Sequence, residues 1–161
     1  MIFSSADLCD AHSDLEHLQI AEPVFRPFGN NFAFCGQITT LKVFEDNILI
    51  RKTLEEKVSD RVLVIDGGGS HRCALLGENL STIAYENGWQ GVIVYGCIRD
   101  SVEISKIKIG IRALNTHPLK SHNIGHGERD VSVTFAGITF KKDQYIYVDN
   151  DGIIVSETLL R

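Results

Sequence analysis

An arginine and an aspartate stand side by side, Arg99-Asp100, directly after the apolar run Val92-Ile93-Val94-Tyr95 and its continuation Gly96-Cys97-Ile98. A guanidinium fork grips carboxylates and other oxyanions, and a carboxylate ligates hard divalent cations, so this pair can hold an anion and a metal ion next to each other. In α/β proteins ligands bind beyond the carboxyl ends of the parallel strands, which is where the pair falls. The alternative is a surface ion pair, which would contribute little to stability and has no reason to sit at the end of the most apolar strand. Glu103 lies three residues on, on the same side of a helical turn as Asp100. It is either a supporting carboxylate around the site or a solvated acid favoured by a helix N-terminus.

The elements that must position the pair can be read around it. Arg61-Val62-Leu63-Val64-Ile65-Asp66 is a short buried strand and Gly67-Gly68-Gly69-Ser70 a loop. The stretch from about Cys73 to Asn87 reads as a helix stopped by Gly88, and Gly91 to Gly96 as the next strand. Such a strand-helix-strand unit has parallel strands, so the glycine loop and Arg99-Asp100 are expected to face one crevice. The glycine loop lacks the spacing of a dinucleotide fingerprint and the Gly-Lys-Ser/Thr ending of a phosphate loop. Its glycines are better suited to a tight turn and close backbone approach.

Elsewhere the pattern is mixed. Phe32 to Phe44 reads as a strand region with a bulge at Gly36, and Asn47 as the N-cap of a helix from Ile48 to Lys57. A short helix from Val102 to Lys106 leads to a strand from Ile109 to Leu114. Val131 to Phe135 alternates before a turn at Gly137, and Tyr145 to Val148 pairs with Ile153 to Val155 across Asp149-Asn150-Asp151-Gly152. That turn resembles the start of a calcium loop but lacks the acidic residue near its end. His117, His122 and His126 straddle Pro118 and Gly125 in a loop with no fixed ligand spacing and read as solvated side chains.

Composition removes several function classes. With 161 residues and 43% hydrophobic content, the chain is expected to form one domain, residues 1–161. A formal charge of −5 and pI of about 5.6 disfavour direct nucleic-acid binding. No segment is apolar enough to span a bilayer, and residues 1–7 do not look like an export signal. Cys9, Cys35, Cys73 and Cys97 are widely spaced and read as reduced thiols of a cytoplasmic protein.

Gly77-Glu78-Asn79-Leu80 followed by Gly96-Cys97-Ile98-Arg99-Asp100-Ser101-Val102-Glu103 resembles the signature of the 4-hydroxy-4-methyl-2-oxoglutarate aldolases. Asp7 to Asp10, Val43 to Asn47, Val62 to Ser70 and Asp149 to Ile154 are similar to segments of the RraA-like proteins, regulators of ribonuclease activity in the same superfamily. The resemblance implies a three-layer β/β/α swivelling-domain fold, a homotrimer with sites at subunit boundaries, and a divalent cation, Mg2+ or Mn2+. By position it implies that Asp100 ligates the metal and that Arg99 holds the pyruvyl end of a small 2-oxo acid. The amides of Gly77, Glu78, Asn79 and Leu80 would receive its carboxylate. The expected reaction is retro-aldol cleavage to pyruvate, with oxaloacetate decarboxylation through the same enolate. The base is left open among a metal-activated water, Glu103 and His71. The alternative is a non-catalytic protein that binds ribonuclease E or an associated RNA helicase.

Overall fold

Unbroken runs of Val, Ile and Leu form strands where both faces of a sheet are covered, and the middle of this chain supplies two of them. The structure, a computed structural model, describes residues 2–161. In chain order its elements are α1 (Ser5–His12), β1 (Gln19–Ile20), β2 (Arg26–Phe28), β3 (Phe34–Lys42), α2 (Ile48–Leu54), β4 (Arg61–Asp66), β5 (Ala74–Leu76) and α3 (Glu78–Glu86). There follow β6 (Trp89–Ile98), α4 (Ser101–Ile104), β7 (Gly110–Thr116), β8 (Glu128–Arg129), β9 (Val133–Phe135), β10 (Ile138–Phe140), β11 (Tyr145–Asp149) and β12 (Gly152–Ser156).

Among the described residues ten strands make one mixed sheet along the path β1-β12-β11-β3-β4-β6-β7-β2, with β5 beside β6 and β8 beside β3. β9 and β10 form a separate hairpin. β3, β4, β6 and β7 are parallel, so their carboxyl ends share one edge. Alternate residues of these strands enter different layers. Leu63, Ile65, Val92 and Val94 pack against Ile50 and Leu54 of α2, Leu80 and Ala84 of α3 and Ile104 of α4. Val62, Val64 and Ile93 pack instead with Phe135 and Phe140 of the hairpin and with Ile146 and Val155 of β11 and β12. The sheet thus curls over its own far strands, which gives the β/β/α layering that the sequence resemblance implies.

Several boundaries differ from the sequence reading, each for a local reason. Gly36 is not a bulge: it pairs in register with Ile146, and its missing Cβ makes room for the carbonyl oxygen of Asp60, which would lie 2.5 Å away. The helix expected from Cys73 begins at Glu78, because Ala74–Leu76 is drawn into the sheet as β5. α2 stops at Leu54 rather than Lys57, and Asn47, although at the N-cap position, makes no side-chain cap. Asp46 caps instead, its Oδ1 accepting from the Ile48 N–H at 3.1 Å. The helix after Asp100 spans only Ser101–Ile104. The hairpin of β11 and β12 is as expected, with Asp149 opposite Gly152.

Gly91 and Gly110 face each other across β6 and β7, and the Phe34 ring lies over both. A Cβ at either position would stand far inside contact distance of a carbon of that ring. Gly110→Ala is therefore expected to lower unfolding stability by about 2 kcal/mol through overpacking, measured by urea denaturation, with the additional change Phe34→Leu recovering part of the loss. An unchanged midpoint would show that the ring does not depend on the glycine pair.

Candidate functional site

β6 is ten residues long, and it uses the same edge twice. From Gly91 to Tyr95 it pairs with β4, and at Cys97 and Ile98 it pairs with β5. The glycine loop makes the change of partner possible. The N–H groups of Gly67 and Gly69 both donate to the Tyr95 carbonyl, each at 3.1 Å. Gly68 and Gly69 take left-handed backbone, φ 69° and 70°, which glycine adopts without a Cβ penalty. The chain then runs parallel to the end of β6 as β5 and enters α3 through Gly77, while the Arg99 N–H closes the ladder on the Leu76 carbonyl at 2.9 Å.

This route sets the N-terminus of α3 against Arg99-Asp100. Asp100 Oδ2 accepts from the Glu78 N–H at 2.9 Å. A Cβ on Gly77 would stand 2.7 Å from the same oxygen, so the glycine is required by space; its φ of −131° is open to any residue. Asp100 itself is left-handed, φ 59° and ψ 40°, a conformation Asp tolerates better than most residues. Arg99 forms no ion pair among the described residues, and its Nη1 reaches the Pro118 carbonyl at 3.4 Å. At the start of a helix the first N–H groups lack intrahelical acceptors. The Glu78 group is taken by Asp100, which leaves those of Asn79 and Leu80 for an anion.

The expected residues Gly77, Glu78, Asn79, Leu80, Arg99 and Asp100 therefore line one cleft of about 110 Å³. Glu103 does not join them: its carboxylate pairs with Lys106 at 3.4 Å on the exposed side of α4. His71 contacts the Gly69 carbonyl and lies outside the lining as well. The glycine loop does not share the crevice as expected. Gly68 borders a separate open cleft with Phe44, Asp66 and His126, because the loop turns back over Tyr95 before β5 begins.

Besides Ala74, Leu75 and Leu76 of β5, sequence reasoning missed three polar lining residues, Asn47, Arg51 and Lys120. They arrive through Asp46, which is 3% exposed. Its Oδ2 accepts from the N–H groups of Ile124, Gly125 and His126 at 3.0, 2.7 and 3.3 Å, tying the loop after β7 to the start of α2. Burial alone would push this carboxyl up, but the four backbone donors together hold it below its ordinary value. The pattern Glu45-Asp46-Asn47 before a helical stretch is the one local signal of this anchor. A second tie lies beside it: Arg72 grips Glu45 with two hydrogen bonds of 2.7 and 2.8 Å, and Ser70 Oγ donates to the same carboxylate at 2.6 Å. Arg72 first and then Ser70 lower the Glu45 pKa to about 2.

A hard cation of the magnesium type keeps much of its water shell and needs only one or two carboxylates. Asp100 fits that requirement. It is exposed, belongs to no ion pair among the described residues, and has one oxygen oriented by Glu78 N–H and the other free of hydrogen bonds. No cluster of three or more His, Cys, Asp or Glu side chains occurs among the described residues, so the donor set suits a largely hydrated ion.

A curled mixed sheet with Arg99 and Asp100 lining a cleft at its parallel edge defines a small α/β fold. The chain belongs to the RraA-like family, described as Aldolase/RraA, whose model matches residues 5–155. A Methylococcus capsulatus protein named as a candidate 4-hydroxy-4-methyl-2-oxoglutarate aldolase is 61% identical over 160 residues, 99% of each chain. Among solved structures, one from Geobacillus kaustophilus described as an S-adenosylmethionine:2-dimethylmenaquinone methyltransferase superposes with TM-score 0.94 at 46% identity, covering 98% of this chain and 96% of that one. The RNA-processing inhibitor RraA from Thermus thermophilis gives TM-score 0.92 at 41% identity, covering 98% and 94%. Three different functions are named on one fold, so the site has to decide among them.

Two tests address the ties that build the cleft. Asp46→Ala leaves three loop donors and a helix N–H without their acceptor and is expected to cost about 3 kcal/mol of stability, with faster amide exchange at 124–126. Glu45 has a depressed folded pKa, so its contribution is complete above its ordinary value and is lost as pH falls toward about 2. Between pH 5 and pH 2 the wild type should therefore lose more thermal stability than Glu45→Gln, measured as the fall in Tm; parallel curves would remove this role from Glu45.

Proposed function

We propose that the chain is a divalent-metal-dependent aldolase that cleaves 4-hydroxy-4-methyl-2-oxoglutarate to two molecules of pyruvate and decarboxylates oxaloacetate through the same pyruvate enolate. The observation that carries this reading is the Asp100 carboxylate, held by the Glu78 N–H at the start of α3 beside an Arg99 that forms no ion pair among the described residues. The name carried by the Methylococcus relative supports it.

In the cleavage the C3–C4 bond breaks and its electron pair forms the C2–C3 double bond of an enolate, with the charge on the former 2-oxo oxygen. The 4-hydroxyl loses its proton and becomes a carbonyl, and C3 takes up a proton to become the methyl group of pyruvate. The free amides of Asn79 and Leu80 seat the 1-carboxylate at the positive end of α3. Arg99 donates to the oxygen on which charge accumulates, an interaction stronger in the transition state than in the ground state. Asp100 would hold Mg2+ or Mn2+, which when bound supplies a Lewis acid for the 2-oxo group. Glu78 N–H fixes the rotamer of Asp100, and the left-handed turn at Asp100 separates its carboxylate from the arginine before it.

The same reading takes residues 1–161 as one domain of a homotrimer with its sites at subunit boundaries. Exposed Val102 and Leu119, close in sequence to Asp100 and Lys120, support an apolar contact there. A cytoplasmic location is supported by four free cysteines, whose thiols burial pushes up and so keeps protonated. Among the described residues, no helix is long and apolar enough to cross a membrane. A second reading, regulation of ribonuclease E or its helicase, is favoured by the likeness to the Thermus inhibitor and by a net charge of −5 that would complement basic segments.

A pyruvate-release assay separates the two. With magnesium or manganese the protein should release pyruvate from both substrates and lose the activity in chelator. Asp100→Asn, which keeps the side-chain shape and tolerates the left-handed backbone, and Arg99→Gln should each reduce kcat/KM by about 100-fold or more. Full activity in Asp100→Asn would dismiss this site. A wild type that releases no pyruvate but slows RNA cleavage by ribonuclease E would establish the regulator.

A further inference from the structure

Beyond the Arg99 side of the cleft lies a wider one of about 430 Å³ that shares Asn47, Arg51, Arg99 and Lys120 with it. Four cationic side chains, Arg51, Lys52, Arg99 and Lys120, line it against one carboxylate, Glu55, in a protein of net charge −5. None of the four belongs to an ion pair among the described residues. Asn47, Arg51 and Glu55 succeed one another at four-residue intervals, on one face of α2, while Ile50, Thr53 and Leu54 are buried. The wall opposite is the loop fastened by Asp46, and it carries Ser121, which is 5% exposed. Its Oγ is buried and has no hydrogen-bond partner among the described residues. A buried hydroxyl is normally satisfied, and one left unpaired beside a group of unpaired cations is what an anion seat looks like before the anion arrives.

We propose that Arg51, with Lys120 and the Ser121 hydroxyl, binds the distal carboxylate of the substrate, the one carried on C4, and so makes the enzyme selective for 2-oxo diacids over 2-oxo monoacids. This rests on the aldolase reading above. A substrate whose pyruvyl end occupies the small cleft, between the α3 amides and Arg99, extends past Arg99 into the wider one. The distal carboxylate keeps its charge throughout retro-aldol cleavage and leaves on the second pyruvate. Arg51 therefore acts on it equally in ground and transition states, and its removal appears in KM more than in kcat. Arginine suits the task because its fork can take both carboxylate oxygens.

The test compares 4-hydroxy-4-methyl-2-oxoglutarate with 4-hydroxy-4-methyl-2-oxopentanoate, in which a methyl group replaces the distal carboxylate and cleavage gives pyruvate and acetone. The ratio of kcat/KM for the diacid to that for the monoacid should fall tenfold or more in Arg51→Gln, chiefly through the diacid KM, and recover partly in Arg51→Lys. Ser121→Ala should shift the same ratio by a few-fold. A ratio within twofold of wild type in Arg51→Gln and Ser121→Ala, with the wild type active, overturns the carboxylate seat and leaves the aldolase reading standing. A wild type that cleaves neither compound overturns both.

Discussion

The site depends on one strand that is longer than its neighbour. β6 continues past the end of β4, and the exposed edge of its last residues is filled by β5, a segment that belongs to the same crossover. An unpaired edge in the middle of a buried sheet would leave backbone groups without partners, a cost the chain avoids by folding the glycine loop back over Tyr95. Everything at the cleft follows from that closure. β5 ends level with Ile98, so α3 must begin beside Arg99, and its first N–H group meets Asp100.

Adjacent opposite charges would normally be expected to neutralise each other, which would leave neither free for a ligand. Here the backbone keeps them apart. Arg99 is still tied to the ladder through Leu76, whereas Asp100 has turned left-handed and gives its carboxylate to a helix N-terminus. The positive end of the helix attracts a carboxylate there, and the amides that remain can attract a further anion in the same way. Each charge thus has a partner that orients it without cancelling it.

The parts legible in sequence were those fixed by local pattern. β4 and β6 are continuous apolar runs, the β11–β12 hairpin is bracketed by Asp149-Asn150-Asp151-Gly152, and Arg99-Asp100 marks the end of the longest run. β5 was not legible, since Ala74-Leu75-Leu76 suits a helix at least as well as a strand and only the free edge of β6 makes it extended. The Gly36 bulge failed for the same reason, because the approach of Asp60 is a tertiary fact. Glu103 has the right spacing from Asp100, but the short α4 turns it toward Lys106. Arg51, Lys120 and Ser121 are brought together by the carboxylate of Asp46, whose bonds to 124–126 span nearly 80 residues. No periodicity reports such a contact.

That anchoring bears on whether the fold serves catalysis or docking. A docking face needs exposed side chains of complementary charge and tolerates their mobility, because partners adjust to each other on binding. The cleft around Asp100 is built differently. Its walls come from the end of β6, the start of α3, the outer face of α2 and the loop after β7, and each is held by hydrogen bonds of its own: Leu76 carbonyl to Arg99, Asp100 to Glu78, and Asp46 to both α2 and the loop. Catalysis on a small molecule requires groups fixed to within a fraction of an ångström, and a chain that commits a 3%-exposed carboxylate to holding one wall in place meets that requirement. The acidic exterior can serve a protein partner, but it does not account for a cationic cleft with walls anchored in this way.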